Sequence, residues 1–400
     1  MVKSLMNPVA TVVILLAMLS SIHAQDDLSP PLYFGTSTAL SGPSGALGQD
    51  MRLGIEAAFD ECNTAGGING RKLRLVVLDD GYEPTRTVPN MTTLIEKVGV
   101  LGVIGNVGTP TAIAAIPIAT ENKVPFIAAY TGAGVLRKSP PDRYVINYRA
   151  SYAQETQAMV DALIHYAGCK PNEIAFFTQR DGYGDAGFIG GIEALRSHGY
   201  DEEHKVPHVR YTRNTLSVES ALAELMLLPT PPKAVIMAGA YAPSAKFIKL
   251  ARSVSFNAIF LNISSVGSYA FAQQLGTAGE GVIITQVMPP PESNLPIAKE
   301  FRVAYAQISN GAPLTFGAFE GYVSTRMLIL ALQSCDERFD RESIIESLER
   351  LGNFDLGLNS QLSLSPQRHQ ASDHVWPTVV RSGKVQPFNW EELSAYSTTD

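Results

Sequence analysis

The sequence predicts an α/β fold of two lobes, each built on a doubly wound parallel sheet. Strand-like and helix-like segments alternate from Leu32 onward for about 250 residues, which indicates parallel sheets with right-handed crossovers. A single sheet of that size would be unusual, so we divide the run near Asn147. The residues after Gly357 hold short strand-like runs without helices between them, and we expect them to pack on an existing sheet.

The first lobe begins with a strand at Leu32–Thr38 and a helix at 48–63, whose apolar residues recur at helical spacing. A glycine-rich turn at 66–70 ends that helix. Pro89 should loosen the start of a later helix and Pro117 should kink the next, because proline removes an internal hydrogen bond. The other elements expected here are strands at 72–78, 100–104 and 126–129 and helices at 85–97 and 110–122.

The same alternation continues after Asn147, and Pro289–Pro291 marks a second crossing between the lobes. Three further helices follow that crossing before the C-terminal strand-like runs. The helices expected after residue 147 lie at 152–168, 187–198, 218–228, 244–253, 296–308, 315–333 and 341–351, and the strands at 173–177, 206–211, 234–238, 259–261 and 281–285.

The composition fits a globular, exported protein. Of 400 residues, 45% are apolar and 17% are charged, and the formal net charge is -7 without a basic stripe that would indicate nucleic-acid binding. Lys3, the apolar run 9–19 and the small residues that end at Ala24 are typical of a signal peptide over residues 1–24. No cysteine lies near that cleavage point, so we expect no lipid anchor. A short membrane anchor or a buried helix is the alternative for this segment.

The stretch 98–111 predicts an anion site. An apolar run gives way to a glycine-bearing turn and then to helix-forming residues, as at the ligand-binding strand ends of open α/β sheets. Thr109 is a good N-cap and Pro110 suits the first helical position, so the N–H groups of Thr111 and Ala112 would be free to bind a carboxylate or phosphate. Thr131 occupies a similar turn after the next strand. The alternative is that both hydroxyls only cap local backbone.

None of the other motifs predicts catalysis. Gly182–Gly187 matches GxGxxG, but three residues separate it from the preceding strand and no acid follows the next strand to bind a ribose. We expect a permissive turn there, with Tyr183 at the edge of a cleft. No metal-ligand cluster, nucleophile elbow or phosphate loop is complete, so we expect no enzyme activity, no metal and no cofactor. The three cysteines form no CxxC pair and are interpreted as buried apolar residues.

Several short segments recur in a fixed order along the chain: Leu40–Pro43, Gly66–Gly70, Asp79–Pro84, Gly105–Thr111, Tyr130–Ala133 with Leu136–Arg137, and Gly182–Gly184. In this order the chain resembles the leucine/isoleucine/valine-binding family of periplasmic binding proteins, the type I solute receptors of ABC importers. The resemblance covers essentially all of residues 31–390.

The resemblance implies a Venus-flytrap architecture, in which three crossovers join the lobes and the ligand lies between them. The first lobe would comprise residues 31–147 and 286–351, the second 148–285 and 352–390, with a tail at 391–400. Ligand binding would close the lobes about a hinge near Asn147, Thr285 and Leu351.

The resemblance also implies ligand contacts. The carboxylate-binding hydroxyl of the family falls on Thr109, and further donors for the same carboxylate fall on the turn Tyr130–Gly132, which includes Thr131 and Gly132. An aromatic wall from the second lobe falls on Tyr183. The other ligand-binding positions that we carry over are Leu47, Thr111, Ser264, and Tyr241 beside the family position Ala240.

One departure from the family concerns the ligand's ammonium group. Amino-acid-binding relatives place an acid after the strand that matches 259–261, whereas this chain reads NISSVGS at 262–268. Removing one partner of a buried ion pair costs about 3–5 kcal/mol. An amino-acid ligand would therefore need another acid, such as Asp181, Asp185 or Glu320, and the alternative is a ligand without an ammonium group.

The expected function is that of a monomeric periplasmic receptor of an ABC importer. It would capture a small carboxylate-bearing ligand, either an amino acid or a related amide or aromatic acid, and deliver it to an inner-membrane ABC permease. The alternatives are a ligand-sensing receptor domain without a transport role and a nucleotide-dependent enzyme on a Rossmann-like lobe.

Overall fold

The computed structural model describes residues 30–335 and 339–396. The predicted signal peptide at 1–24 lies outside the described residues. Within these ranges the chain forms two main sheets with helices on their faces, which confirms the predicted α/β class.

The first sheet contains five parallel strands among the described residues, in the order β2-β1-β3-β4-β5. These strands are β1 Leu32–Thr38, β2 Leu73–Asp79, β3 Gly102–Ile104, β4 Phe126–Ile127 and β5 Val145–Ile146. The sequence pattern did not predict β5, because two apolar residues are too short a run for periodicity to distinguish.

The helices of this part are α1 Gly45–Thr64, α2 Pro84–Thr92 and α3 Thr109–Glu121. The predicted helix at 85–97 is divided, because a π-helical segment, Thr93–Val98, continues α2. Pro89 and Pro117 lie inside α2 and α3 as predicted.

In the rest of the chain the strands are β6 Ile174–Gln179, β7 His208–Tyr211, β8 Ala234–Ala238, β9 Ile259–Asn262, β10 Ile283–Gln286, β11 Gly352–Phe354, β12 Leu362–Leu364, β13 Trp376–Arg381 and β14 Lys384–Pro387. The second sheet has the order β14-β13-β10-β9-β8-β6-β7 within the described residues. Strands β13 and β14 join it antiparallel beside β10, as predicted for the C-terminal runs, whereas β12 pairs with β11 in a separate two-stranded sheet.

The remaining helices are α4 Tyr152–His165, α5 Gly182–Ser197, α6 Glu219–Met226, α7 Tyr241–Ser253, α8 Ser268–Leu275, α9 Pro296–Ile308, α10 Phe316–Gln333 and α11 Arg341–Arg350. The sequence did not predict α8. The glycine segment at 182–187 was wrongly predicted as a turn before the helix, because α5 already begins at Gly182. The Asp181 carboxylate accepts a hydrogen bond from the Tyr183 N–H and caps that end.

The chain passes between the lobes three times. Helices α9 and α10 follow β10 and pack on α1, so the chain returns to the first lobe before it enters β13. The Asn147 N–H donates to the His369 carbonyl at 2.7 Å, and the Ala371 N–H donates to the Asn147 carbonyl at 2.9 Å, so two crossings run side by side. The β11–β12 hairpin packs on α11, and the lobe boundaries at 147, 286 and 351 stay a prediction.

No helix between residues 30 and 335 or between 339 and 396 is both long and apolar enough to cross a membrane. Residues Trp390–Tyr396, most of which belong to the predicted tail, form a 3-10 helix that packs on α4 with Leu393 buried.

Candidate functional site

A small cavity of about 10 Å³, enough for about one water molecule, lies between the lobes, where the carboxyl ends of the strands in the two sheets face each other. Ligands of open α/β sheets bind at this end of the strands. From the first lobe the cavity is lined by Ser44, Leu47, Tyr82, Val107, Gly108 and Tyr130, and beyond the first crossing by Tyr152, Tyr183, Ala240 and Ser265. A ligand of several atoms therefore requires the lobes or the lining side chains to move apart.

Tyrosine rings form much of the cavity wall. The rings of Tyr152 and Tyr183 meet with their centroids 5.5 Å apart. Burial raises the pKa of Tyr82, Tyr130 and Tyr183 above the ordinary value, so these phenols stay protonated at neutral pH. The wall therefore combines flat apolar faces with neutral hydroxyl groups, which suits a ligand with an apolar body and a few polar atoms.

The start of α3 lies beside this cavity. Thr109 was wrongly predicted as the N-cap, because the cap is Gly108 and Thr109 is the first helical residue. Gly108 has φ 102, and a Cβ there would lie 2.0 Å from a carbon of the Tyr82 ring. Only glycine allows this approach, so the backbone at Gly108 itself forms part of the cavity wall.

The threonine hydroxyls predicted to hold a carboxylate contact each other. The Thr109 and Thr131 Oγ1 atoms are 2.6 Å apart, and Thr131 Oγ1 also accepts a hydrogen bond from the Ala133 N–H at 3.3 Å. The Ala112 N–H was wrongly predicted to be free, since it donates to the Gly108 carbonyl at 3.1 Å. The Thr111 N–H has no backbone acceptor among the described residues, in keeping with its place in the first helical turn.

Arg149 links the two lobes beside the cavity and is fully buried. Its guanidinium donates to the hydroxyls of Ser265 at 2.7 Å and Ser264 at 3.0 Å. It also forms an ion pair with Glu320 in α10, with a shortest N–O distance of 2.9 Å, and lies 4.3 Å from the centroid of the Tyr130 ring. Burial is the largest single effect and acts to lower the pKa of Arg149, but Glu320 together with Tyr130, Tyr152 and Glu155 raises the pKa overall, so the guanidinium stays charged.

The acids considered for a ligand ammonium all have other partners. Glu320 pairs with Arg149. Asp181 caps α5 and accepts from Gln179 Nε2 at 2.7 Å, and Asp185 pairs with Arg210 at 2.6 Å. A further buried acid, Glu155, accepts hydrogen bonds from the Ser264 N–H, the Ser264 hydroxyl and the Thr285 hydroxyl. Among the described residues, none of these carboxylates lines the cavity.

The structure brings some of the predicted binding residues to the cavity and leaves others behind its wall. Leu47, Tyr130 and Tyr183 line it, whereas Thr109 lines a neighbouring, larger pocket that shares Tyr152 with the cavity and that Asp185 also lines. The Thr111 hydroxyl is turned back to the Val107 carbonyl at 2.5 Å. The other predicted residues lie outside the lining: Thr111, Thr131, Gly132, Tyr241 and Ser264. Ala240 lines the cavity in place of its neighbour Tyr241, and Ser265 in place of its neighbour Ser264.

Gly132 has a packing role that the sequence did not indicate. A Cβ there would lie 2.5 Å from the Tyr152 ring, and the Gly132 carbonyl accepts the Tyr152 N–H at 2.8 Å. The glycine thus lets Tyr152 approach the first lobe closely. The ligand-binding roles of the predicted residues stay predictions.

Sequence reasoning missed Ser44, Tyr82, Tyr152, Arg149 and Ser265. Tyr82 carried a usable signal, since it follows the Asp79-Asp80 strand end and adopts φ 64, a conformation uncommon for a residue other than glycine. Arg149 and Tyr152 follow the first crossing, where no local pattern marks a site. No group of three or more His, Cys, Asp or Glu residues in the described parts of the chain is placed to hold a metal ion.

The sequence matches the periplasmic binding protein family over residues 31–384. The chain belongs to this family. It is 22% identical over 364 residues to Leu/Ile/Val-binding protein homolog 7 of Brucella abortus, a match that covers 86% of this chain and 88% of the relative.

Solved structures agree with this assignment. A possible leucine/isoleucine/valine-binding protein from Rhodopirellula baltica is 49% identical, with a TM-score of 0.89 over 93% of this chain and 99% of that one. Two more distant structures share the fold. A fatty acid ABC transporter substrate-binding protein from Thermomonospora curvata is 20% identical with a TM-score of 0.80, over 92% of this chain and 94% of that one. A branched-chain amino acid transporter substrate-binding protein from Streptococcus pneumoniae, in complex with isoleucine, is 19% identical with a TM-score of 0.73, over 89% of this chain and 98% of that one.

Proposed function

We propose that this binding protein is the exported receptor of an ABC importer and captures a small carboxylate-bearing molecule in the cavity between its lobes. The observation that carries the proposal is the start of α3, where Gly108 lines the cavity and Thr109 and Thr131 share a hydrogen bond. A helix N-terminus attracts anions through its free N–H groups and its dipole. The two distant structures are named for different ligands, a fatty acid and a branched-chain amino acid, so the fold leaves the rest of the ligand open.

The threonine pair supports a carboxylate by its hydrogen count. Two hydroxyls that share one hydrogen bond leave one proton over, and Thr131 Oγ1 already accepts from the Ala133 N–H. A carboxylate oxygen at the start of α3 would accept that proton, and the free N–H groups of the first turn would bind alongside it. The same proposal includes export of the protein with cleavage after Ala24, delivery of the ligand to a permease, and a monomeric state.

The proposal is tested by thermal unfolding of the mature protein with L-leucine, L-phenylalanine, 4-methylpentanoate, 2-oxo-4-methylpentanoate and phenylpyruvate, each beside the matching carboxamide. At 100 times its dissociation constant, a ligand that binds only the folded state stabilises it by about 2.7 kcal/mol. We expect at least one acid to raise the melting temperature while its carboxamide does not. If no acid does so, the carboxylate site is wrong.

A further inference from the structure

The hydroxyl groups at the second-lobe end of the cavity form a chain that begins at a buried charge. Arg149 donates to Ser265 Oγ at 2.7 Å, and Ser265 Oγ lies 2.8 Å from the Tyr152 hydroxyl. Ser265 and Tyr152 both line the cavity, whereas Arg149 lies behind them and is fully buried. The chain therefore leads from the guanidinium to the space that a ligand would occupy.

A count of the hydroxyl protons shows what the Ser265 and Tyr152 hydroxyls can offer to a ligand. Ser265 Oγ accepts a hydrogen bond from Arg149 with one of its lone pairs. A single hydrogen bond joins the Ser265 and Tyr152 hydroxyls. Either hydroxyl can donate in that bond, and in both cases the other proton is left over. No described residue accepts this proton. A buried donor requires a partner, so a molecule that fills this space binds best if it presents an acceptor here.

The charges around the cavity disfavour an ammonium at the same place. The two nearby buried acids are both occupied, Glu320 by Arg149 and Glu155 by Ser264 and Thr285. No carboxylate among the described residues lines the cavity. An ammonium group would thus be buried close to a guanidinium without a counter-charge, and an unpaired buried charge is strongly unfavourable.

We infer that the ligand is a carboxylic acid without an ammonium group, and that it carries an oxygen acceptor, such as a 2-oxo or hydroxyl group, which binds the Ser265–Tyr152 hydroxyl pair. This inference rests on the proposed function, which places the carboxylate at the start of α3. Leu47, Val107 and the tyrosine rings line the same space and would contact the apolar body of the acid once the lobes make room for it.

The test compares matched acids by calorimetric titration of the mature protein. L-Leucine, 2-oxo-4-methylpentanoate and 4-methylpentanoate share one carbon skeleton and differ only in the group at C2, and L-phenylalanine and phenylpyruvate form a second pair. We expect the oxo acid of each pair to bind about tenfold or more tightly than its amino acid. Tighter binding of the amino acids would overturn the inference but leave the proposed function standing, whereas absence of binding by all five acids would overturn both.

Substitution of Ser265 adds an independent readout. Ser265→Ala should weaken binding of 2-oxo-4-methylpentanoate by about fivefold and leave 4-methylpentanoate unchanged, because only the oxo acid has an acceptor to lose. Ser324→Ala is the matched control, since Ser324 is also a buried serine but lies in α10, outside the cavity lining. An equal loss for both acids would show that Ser265 only positions the wall, which would overturn its assigned role. If Ser265→Ala does not fold, the comparison of acids on the unaltered protein still decides.

Discussion

Thr109 is the residue on which the carboxylate hypothesis depends most directly. Its hydroxyl meets Thr131 Oγ1 at 2.6 Å and makes no capping bond to α3. Thr109→Val keeps the side-chain shape and removes the hydroxyl. We expect the affinity for the acid selected by thermal unfolding to fall by about tenfold or more, because hydrogen bonds to charged groups contribute about 1.5–3 kcal/mol. Calorimetric titration measures this loss.

A matched variant separates binding from packing at Thr109. Thr325 is also fully buried, and its hydroxyl donates to the Gly321 carbonyl within α10, away from the cavity lining. Thr325→Val should leave the affinity unchanged. Binding of the acid by Thr109→Val at the strength of the unaltered protein would mean that the carboxylate is held elsewhere.

Asp50 should make the stability of the fold depend on pH. Burial raises the pKa of this α1 carboxyl from 3.8 to about 6, although a hydrogen bond from Thr315 opposes the shift. Between pH 4 and 6 the folded state binds more protons than the unfolded state, so the free energy of unfolding falls as pH rises through this window. Above it, the ionised carboxylate costs at most about 3 kcal/mol.

Asp50→Asn tests this dependence, because the amide keeps the shape and cannot ionise. We expect the variant to melt a few degrees higher than the unaltered protein at pH 7.5 and the difference to vanish near pH 4. Asp60→Asn, at an exposed position in α1, is the control. Melting temperatures that differ by the same amount at every pH would contradict the raised pKa.

The site residues show where local sequence patterns stop being informative. Tyr183 was predicted from the glycine-bearing turn that contains it, and Tyr130 from the family resemblance. Arg149 and Ser265 act through contacts between residues more than 100 positions apart, and only the order of strands in the two sheets brings them together. A single sequence does not specify such pairings.

At the level of elements, α1 and α10 pack unusually closely through small residues. A Cβ at Gly54 would lie 1.9 Å from the Ala318 carbonyl oxygen, and one at Gly321 would lie 2.5 Å from the Met51 carbonyl oxygen. These contacts involve backbone, which cannot rotate away as a side chain can. The two helices therefore depend on glycine at their crossing.

Gly54→Ala should destabilise the fold even though alanine favours a helix by about 1 kcal/mol. The added methyl group forces α1 and α10 apart, and overpacking typically costs about 1–3 kcal/mol, with more expected where backbone must move. Urea unfolding measures the change. Gly134→Ala is the control, because its Cβ would meet nothing within 4 Å. A Gly54→Ala protein more stable than the original would refute this close packing.

The elements that the sequence predicted are those with strong periodicity and clear boundaries. The bounds of Leu32–Thr38, Ala234–Ala238 and Pro296–Ile308 are as predicted. Helix α8 was missed, because its eight residues follow Gly267 in a run of small polar residues and are too few to show a helical repeat. Short elements of this kind are set by tertiary packing, here of α8 against α7 and β14.

At the level of the whole molecule, an ion pair holds the two lobes together at the edge of the cleft. Glu83 follows β2 in the first lobe, and Arg213 and Asn214 follow β7 in the second. The Glu83 carboxylate accepts from Arg213 at 2.8 Å and from Asn214 at 2.5 Å. Leu47 also reaches across the cleft, because a Cβ on Gly267 would lie 2.3 Å from its side chain. These contacts join residues of the two lobes, so separation of the lobes would break them.

Glu83→Ala should shift the population of the molecule toward open lobes. Ligand affinity falls in proportion to the loss of molecules in the binding-competent, closed state. A partly exposed ion pair stabilises that state by at most about 1 kcal/mol, which limits the loss. We therefore expect about two- to fivefold weaker binding of the selected acid, and a larger radius of gyration in small-angle scattering without ligand. Because salt screens exposed charges, the difference in affinity should shrink in 1 M NaCl.

Glu203→Ala, which breaks the exposed pair with Arg196 inside the second lobe, should change neither quantity. A Glu83→Ala protein with unaltered affinity and radius would show that Glu83 does not bias the closed state.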